Sequence, residues 1–272
     1  MPRIALLDSG IGGLSVLQAI KQQIPNASIV YFADHAFSPY GNKDTHWLNH
    51  HIVQLVKNLN QQHQLDAIII ACNTASTLCL EQLRQCINTP IIGVVPAVKT
   101  AANLTINQSI GILATPTTIN GEYLKSLILD FANPYQVTKV ASTELVSIAE
   151  KKLNKQPIDQ QTIAHIIEPF LKSNCDYVVL GCTHFPHLKE ELTALAEHIN
   201  WIDSADAIAK RCISLLNHST PPQDNKTPEP DLCFFSSAYI ETGLQQTLTE
   251  FGFTNVQANV QLYDLELNLV NP

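Results

Sequence analysis

Short apolar runs rich in β-branched residues recur along the chain and alternate with segments of helical periodicity. The runs are RIALLD, ASIVYFAD, LDAIIIAC, PIIGVV, SIGILAT, CDYVVLGC and DLCFFSS, and segments such as GGLSVLQAIKQQI and HHIVQLVKNLNQQH lie between most of them. Strands with so few polar interruptions, joined by helices, are typical of a parallel sheet that helices cover on both faces. The pattern therefore predicts an α/β fold.

The composition excludes several classes of protein. With 272 residues, 45% of them hydrophobic, the chain is long enough for one large domain or two smaller ones. The net charge of −8 and the absence of a Lys/Arg run disfavour general nucleic-acid binding. No apolar run approaches the roughly 18 residues of a membrane span, and Asp8 interrupts the N-terminal one. We therefore expect a first strand rather than a signal peptide, and neither a nucleic-acid nor a membrane partner.

The seven cysteines are odd in number and form no Cys-x-x-Cys pair. A disulfide framework is not expected in a chain of this length, so the cysteines predict free thiols and a cytoplasmic location. His46 and His50 are spaced i, i+4 on a predicted helix, but no third ligand lies near them in the sequence. We interpret them as part of a solvated helix face and expect no metal site.

The chain contains an internal repeat. DAIIIACNTA, residues 66–75, and DYVVLGCTHF, residues 176–185, share an aspartate, a branched apolar run and a cysteine at the end of that run. Carried onward, the same offset of 110 residues places Gly93 over Asp203, where IIGVVPAVKTAA and WIDSADAIAKRC each indicate a strand followed by a helix. Near the start, IALLDSGIGG aligns with IGILATPTTI at an offset of 106. The repeat predicts two similar α/β halves.

The repeat also predicts the domain organisation. Seams near residues 95 and 206 assign residues 1–95 plus 206–272 to an N-terminal domain and residues 96–205 to a second domain. The segment NHSTPPQDNKTPEP is rich in Pro, Asn and Thr and is predicted to be a loop. The strand DLCFFSS and a helix after it are predicted to return to the first half.

The repeated cysteines indicate acid/base chemistry. Strand ends of open parallel sheets face the ligand crevice, and Cys72 and Cys182 are both at such ends, before predicted helix N-termini. We expect the positive end of each helix dipole to lower the pKa of the thiols below the free value of about 8.5. If the two halves face each other, a thiolate on one wall removes a proton from a carbon acid while the opposite thiol delivers one. Such a pair inverts a stereocentre.

Other polar residues follow the same strands. Gly10, Gly12 and Gly13 allow backbone to approach a ligand and to donate N–H groups to a carboxylate. His184 is two residues past Cys182 and is placed to tune that thiol. The remaining candidates lie at strand ends or in a Pro-Gly turn that can close over a small ligand: Asp8, Ser9, Tyr40, Gly41, Asn73, Thr74 and Thr183.

Five motifs, in order and in spacing, resemble the glutamate racemases. They are LLDSGIGGLSVL, YFADHAFSPYGNKD, ACNTAS, GVVPA and LGCTHFPHL, and the resemblance covers essentially the whole chain. Members of this family are cofactor-independent enzymes that supply D-glutamate for bacterial peptidoglycan. The resemblance implies two pseudo-symmetric open parallel-sheet α/β domains with the active site in the cleft between them. It also implies glutamate as substrate, no cofactor and, in many members, a homodimer.

The resemblance further implies roles for individual residues. Cys72 and Cys182 would act on opposite faces of the α-carbon, with Asp8 supporting Cys72 and His184 supporting Cys182. At ASTELVSIAEKK the chain departs from the usual Cys-Pro lead-in, and Glu150 stands where the family places a group facing the substrate amino group. The implied substrate contacts are Asp8, Ser9, Tyr40, Gly41, Asn73, Thr74, Thr118, Thr183 and His184, with Thr115 as a further candidate.

Three alternatives remain open on the residues alone. A nicotinamide-dependent dehydrogenase would use DSGIGGLS for the pyrophosphate and Asp34 for the ribose, but Ser15 replaces the third glycine and Asp8 would lie beside the pyrophosphate. A racemase of another amino acid, such as aspartate, would share the fold, although GCTH and DSGIGG resemble the glutamate enzymes. A degenerate small-acid binding protein would have no need for two cysteines.

Overall fold

The structure is a computed structural model that describes residues 1–218 and 229–262. Most of the predicted Pro-rich loop, and the end of the predicted N-terminal domain, lie outside the described residues. The described strands are β1 Arg3–Asp8, β2 Ser28–Ala33, β3 Ala67–Ile70, β4 Ile91–Gly93, β5 Ser109–Ala114, β6 Gln136–Ala141, β7 Tyr177–Leu180, β8 Asn200–Ile202, β9 Leu232–Phe235 and β10 Val256–Gln257.

Helices connect most of the strands. The α-helices are α1 Leu14–Gln23, α2 Thr45–Gln62, α3 Asn73–Cys86, α4 Val98–Leu104, α5 Pro116–Asn120, α6 Glu122–Phe131, α7 Glu144–Leu153, α8 Gln160–Lys172, α9 Lys189–Leu195, α10 Ala205–His218 and α11 Thr242–Glu250. Short 3₁₀ helices cover His35–Phe37, Tyr40–Asn42 and Phe185–Leu188.

The strands form two sheets in which each described pairing is parallel. The first sheet has the order β10-β9-β2-β1-β3-β4, and the second has the order β6-β5-β7-β8. The α/β fold predicted from the apolar runs is confirmed. The returning strand DLCFFSS is also found where it was predicted, because β9 pairs with β2 of the first sheet.

The two sheets share their strand order and their register. In the first sheet β2-β1-β3-β4 repeats the order of β6-β5-β7-β8 in the second. Leu7 of β1 lies opposite Ile70 of β3, and Leu113 of β5 lies opposite Leu180 of β7. These pairs are related by the offsets of 106 and 110 seen in the sequence. Two residues beyond β3 and β7, the two repeated cysteines therefore occupy equivalent positions at the carboxyl ends of their sheets.

Buried apolar side chains fill both faces of each sheet. Helix α10 contributes Ile208 and Cys212 to a core that also contains Ile4 of β1. Helix α4 contributes Val98 to a core that contains Ile110 of β5. Helix α4 thus packs on the second sheet and α10 on the first. The domain boundaries near residues 95 and 206 stay a prediction.

Helix α2 shows how the sequence pattern sets burial. The Asp44 side chain accepts the Trp47 N–H at 2.8 Å and so caps the first turn, while the apolar face of the helix is buried. His46 and His50 lie on the exposed face, as predicted, whereas His51 is buried.

No helix among residues 1–218 and 229–262 is long and apolar enough to cross a membrane. All seven cysteines are free thiols.

Candidate active site

The carboxyl ends of the two sheets enclose one cavity that carries both repeated cysteines. Its lining comes from loops that follow strands of both sheets, which is where ligands bind in folds of this kind. The first half contributes Ser9, Pro39, Tyr40, Gly41, Cys72, Asn73 and Thr74, and the second contributes Thr115, Val146, Gly181, Cys182, Thr183 and His184. The structure therefore brings together most of the residues that the sequence singled out.

Two of the predicted substrate contacts do not line this cavity. The Thr118 hydroxyl is buried and lies 3.2 Å from that of Thr115, which is on the cavity wall. Asp8 is fully buried at the end of β1 and accepts the Gly10 N–H at 2.8 Å and the Thr183 hydroxyl at 3.0 Å. Burial raises the pKa of Asp8, although the charge of His184 and both hydrogen bonds act in the opposite direction. Asp8 therefore links the two halves beneath the cavity.

Cys72 immediately precedes α3, as predicted, but its expected low pKa is wrong. Burial, and after it the negative charge of Asp8, raise the pKa of the Cys72 thiol to about 12. The Ala75 N–H at the start of α3 and the Ser9 hydroxyl favour the thiolate, but their effect is smaller. At neutral pH the thiol in the ligand-free cavity is therefore protonated.

Cys182 is followed by the 3₁₀ helix Phe185–Leu188, and its closest ionisable neighbour is a histidine. His184 Nδ1 lies 3.9 Å from Cys182 Sγ, and His184 Nε2 lies 3.2 Å from Glu150 Oε1. Burial lowers the pKa of His184, but hydrogen bonds with Cys182 and Glu150 outweigh it and raise the pKa to about 10. His184 is therefore an imidazolium at neutral pH, next to the sulfur that it was predicted to tune.

Glu150 faces this histidine. Although burial raises the pKa of Glu150, the hydrogen bond with His184 and the positive charge of that imidazole lower it overall. Its carboxylate oxygen thus has a partner within the protein. The role that the resemblance gave to Glu150, a contact with the substrate amino group, stays a prediction.

The glycine loop after β1 approaches the second half of the protein rather than the cavity. A Cβ atom on Gly12 would lie 2.5 Å from His184 Nδ1 and 2.6 Å from Thr183 Oγ1. A Cβ on Gly10 would lie 3.3 Å from Glu150 Oε1. Position 12 therefore requires glycine so that the loop can pack against His184, while the prediction that these glycines admit a ligand stays a prediction.

Tyr40 forms part of the cavity wall and is hydrogen-bonded to a buried carboxylate. Its hydroxyl donates to Asp34 Oδ2 at 2.6 Å, and His51 Nε2 lies 2.6 Å from the same oxygen. Asp34 is buried, so its carboxylate positions Tyr40 in this wall and is not available to bind the ribose of a dinucleotide. Sequence analysis missed His51, although its place on the apolar face of α2, next to Ile52, was a usable signal.

The structure adds information on two further polar residues, Asn73 and His187. Asn73 was a candidate, and its Oδ1 is buried with no hydrogen-bond partner among the residues that the structure describes, so this acceptor can bind a ligand. His187 was not a candidate, and its Nε2 lies 3.0 Å from the Gly12 carbonyl oxygen. Within residues 1–218 and 229–262 no group of three His, Cys, Asp or Glu side chains is placed to hold a metal ion.

A thiol thus lies at the same strand position on each wall of one cavity, which is the arrangement that the sequence predicts for a racemase. The sequence model of the Asp/Glu/Hydantoin racemases matches residues 9–212, and the chain belongs to that family. Its relatives include the glutamate racemases of Shewanella denitrificans, 46% identical over 266 residues (93% of this chain, 96% of the relative), and Vibrio cholerae, 43% identical over 259 residues (94% and 96%).

Solved structures agree with this assignment. The Escherichia coli glutamate racemase in complex with L-glutamate and the activator UDP-MurNAc-Ala superposes with a TM-score of 0.89 at 37% identity, covering 94% of this chain and 97% of that one. The allantoin racemase of Klebsiella pneumoniae superposes with a TM-score of 0.57 at 17% identity, covering 80% of this chain and 89% of that one. The second likeness shows a shared fold only.

Proposed function

We propose that this protein interconverts L- and D-glutamate without a cofactor, using Cys72 and Cys182 as the two acid/base groups. The observation that carries the proposal is the equivalent strand position of the two thiols on one cavity. Relatives that share 37 to 46% identity over more than nine-tenths of the chain are glutamate racemases. We therefore assign glutamate, rather than aspartate, as the substrate.

The mechanism is a proton removal on one face of the α-carbon and a proton delivery on the other. The thiolate on one wall takes the α-proton onto its sulfur, and the C–H electron pair stays on the carbon and its carboxylate. The opposite thiol then gives its own proton to the other face of that carbon and becomes the thiolate. No atom is gained or lost, and the reverse reaction restores the starting ionisation.

The surroundings of the two thiols differ in charge. The imidazolium of His184 places a positive charge near the Cys182 sulfur. Among the described residues no such cation acts on Cys72, and its thiol is protonated at neutral pH. The α-ammonium of an entering amino acid would bring the missing positive charge and lower the pKa of Cys72, so that this thiol gives its proton to the α-carbon more readily.

The substrate would be held by the polar groups that follow the two cysteines. The unpartnered Asn73 Oδ1 is an acceptor suited to the α-ammonium, and Thr74 and Thr183 add hydroxyls on either side. The first N–H groups of α3 favour a carboxylate. Ser9, Tyr40 and Gly41 complete the wall on the first half, whereas Thr118 would act through Thr115.

The cellular role that we propose is the supply of D-glutamate for bacterial peptidoglycan, in the cytoplasm. Seven free cysteines suit a reducing compartment. A homodimer is the assembly that the resemblance implies. Sedimentation of the purified protein at several concentrations tests it, since a monomer at all concentrations would contradict this part of the proposal.

Exchange of the α-hydrogen in deuterated water tests the activity. We expect the wild type to racemise L- and D-glutamate with incorporation of deuterium, and to be much slower with aspartate. Cys72→Ser and Cys182→Ser should each lose racemisation by about a thousandfold or more, since a positioned acid or base contributes about 10²–10⁴. Cys86→Ser, at an exposed cysteine outside the cavity, is the matched control and should keep full activity.

Two results would contradict the proposal. Undiminished racemisation by Cys72→Ser or Cys182→Ser would exclude the two-base mechanism. A wild type that binds glutamate but exchanges no α-hydrogen would be a binding protein.

A further inference from the structure

His187 lies where the two halves of the protein meet and takes part in neither of the proton transfers proposed above. Its Nε2 is 3.0 Å from the carbonyl oxygen of Gly12, in the glycine loop of the other half. A carbonyl oxygen only accepts hydrogen bonds, so Nε2 carries the hydrogen. Burial lowers the pKa of His187 to about 4, and the nearby charge of His184 acts in the same direction. His187 is therefore a neutral donor at neutral pH.

The residue that His187 binds also packs closely against His184, the histidine beside Cys182. A Cβ at Gly12 would lie 2.5 Å from His184 Nδ1, and that nitrogen is 3.9 Å from Cys182 Sγ. Any retreat of the Gly12 backbone would thus leave space beside the imidazole. The distance between His184 and the sulfur depends on where the glycine loop is held.

Two other hydrogen bonds join the same loop to the same turn. The Thr183 hydroxyl donates to Asp8 Oδ2 at 3.0 Å. The Ser15 hydroxyl lies 3.0 Å from the Thr183 carbonyl oxygen and 2.9 Å from that of Gly12. These bonds hold the ends of the loop, at residues 8 and 15. His187 binds its middle, at the glycine that meets His184.

We propose that His187 is a positioning residue for Cys182: by donating to the Gly12 carbonyl, it holds the glycine loop against His184 and so fixes the imidazole beside the sulfur. This role rests on the proposed racemisation. Its partners are a backbone carbonyl and a packed loop, so it acts through His184 and does not touch the reacting atoms.

The test compares His187→Leu, which removes the donor, with His187→Gln, whose amide N–H can replace Nε2–H. Misplacement of a reacting group by about 1 Å costs on the order of a hundredfold in rate, and a smaller displacement should cost about tenfold in kcat/KM for His187→Leu. We expect His187→Gln to stay within about threefold of the wild type. His198→Leu, at an exposed histidine of the same half, is the control and should be unchanged.

Steady-state rates cannot show which thiol is affected, because the two enantiomers have equal free energy and kcat/KM must fall equally in both directions. Kinetic isotope effects with α-deuterated L- and D-glutamate separate the two proton transfers. If transfer at Cys182 becomes slower, the isotope effect on kcat/KM rises for the enantiomer that Cys182 deprotonates and falls for the other. We expect this divergence in His187→Leu but not in His187→Gln or His198→Leu.

Each alternative outcome would overturn the role. Isotope effects that stay at the wild-type values while kcat falls would mean that His187 affects only the amount of folded enzyme. A His187→Gln variant as impaired as His187→Leu would mean that the donated hydrogen bond is irrelevant. If the leucine variant does not fold, His187→Asn, whose shorter side chain withdraws the donor, should show the same divergence. Absence of racemisation by the wild type would instead overturn the proposed function, and this role with it.

Discussion

The two halves of the cleft share their backbone geometry and differ in their charges. Strands β3 and β7 end in the same register against β1 and β5, so each delivers a cysteine to the same place. Beside Cys72 the nearby charge is the carboxylate of Asp8, which adds to burial in raising the pKa of the thiol to about 12. Beside Cys182 it is the imidazolium of His184.

The duplication thus accounts for the equivalent positions of the two cysteines, whereas the charged residues beside them are not part of the repeat. The counterpart of Asp8, 106 residues later, is Ala114, and the counterpart of His184, 110 residues earlier, is Thr74. Neither charged group is repeated. A symmetric pair of strands therefore carries two thiols that have charges of opposite sign beside them.

The variant Asp8→Asn removes the carboxylate beside Cys72. It should have the largest effect on the difference in charge between the two halves. Without the negative charge, the pKa of Cys72 should fall, although burial will still hold it above the free value. We expect kcat/KM to fall by about a hundredfold, because loss of the charge changes the basicity of Cys72 and weakens the bond from Thr183. The pH dependence of Cys72 alkylation, followed by mass spectrometry, measures the pKa directly.

The control for this experiment is Asp130→Asn, at an exposed aspartate of α6, which should change neither quantity. An unchanged pKa of Cys72 in Asp8→Asn would show that the charge of Asp8 does not distinguish the two halves.

In the second half of the protein, His184→Gln should remove a pH dependence of the free energy of unfolding. The pKa of His184 is raised from about 6.5 in the unfolded chain to about 10 in the fold. Its contribution to the free energy of unfolding is therefore complete below pH 6.5 and is lost as the pH rises through 10. We expect the variant to be less stable than the wild type at pH 7, with a smaller difference at pH 10.

Urea denaturation at the two pH values measures this, with His198→Gln as the exposed-histidine control. A difference that stays constant between pH 7 and pH 10 would mean that the cationic form of His184 is not what the fold stabilises.

The sequence was sufficient for the features that depend on local pattern. The apolar runs predict the strands, and the offset between Cys72 and Cys182 predicts their equivalent positions, because a conserved spacing within one chain reflects a shared register. The returning strand was also predictable, since DLCFFSS is a buried run like the others. The seams between the halves come from the same comparison and remain to be tested.

Features that depend on contacts between distant segments could not be predicted. The pKa of Cys72 is set by burial and by Asp8, which reaches it only when β1 and β3 pair. Gly12 looked like a ligand-binding glycine because its real neighbour, His184, is far away in the chain. His187 gave no signal at all, since its partner is a backbone carbonyl.

The smallest effect that we predict concerns the ends of β2 and β6, where the halves differ again. The backbone N–H of Asp34 donates to the Asp8 carbonyl at 2.9 Å, and that of Ser142 donates to the Ala114 carbonyl at 2.9 Å. Asp34 then binds the Tyr40 hydroxyl. Ser142 Oγ only accepts the N–H of Leu145 at 3.1 Å. Equivalent strand ends thus hold a cavity wall in one half and a helix terminus in the other.

Tyr40→Phe, which removes the hydrogen bond to Asp34, should therefore lower the free energy of unfolding more than Ser142→Ala, at the counterpart of Asp34. A hydrogen bond to a charged group contributes about 1.5–3 kcal/mol and a neutral one about 1 kcal/mol. We therefore expect the free energy of unfolding to fall by about 1.5–3 kcal/mol in Tyr40→Phe and by about 1 kcal/mol in Ser142→Ala. Tyr40 lines the cavity, so its variant should also raise KM for glutamate severalfold, whereas Ser142→Ala should leave KM unchanged. Denaturant titration and steady-state kinetics measure both. Equal effects on stability and on KM would mean that the carboxylate at the end of β2 contributes no more to the site than the serine at the end of β6.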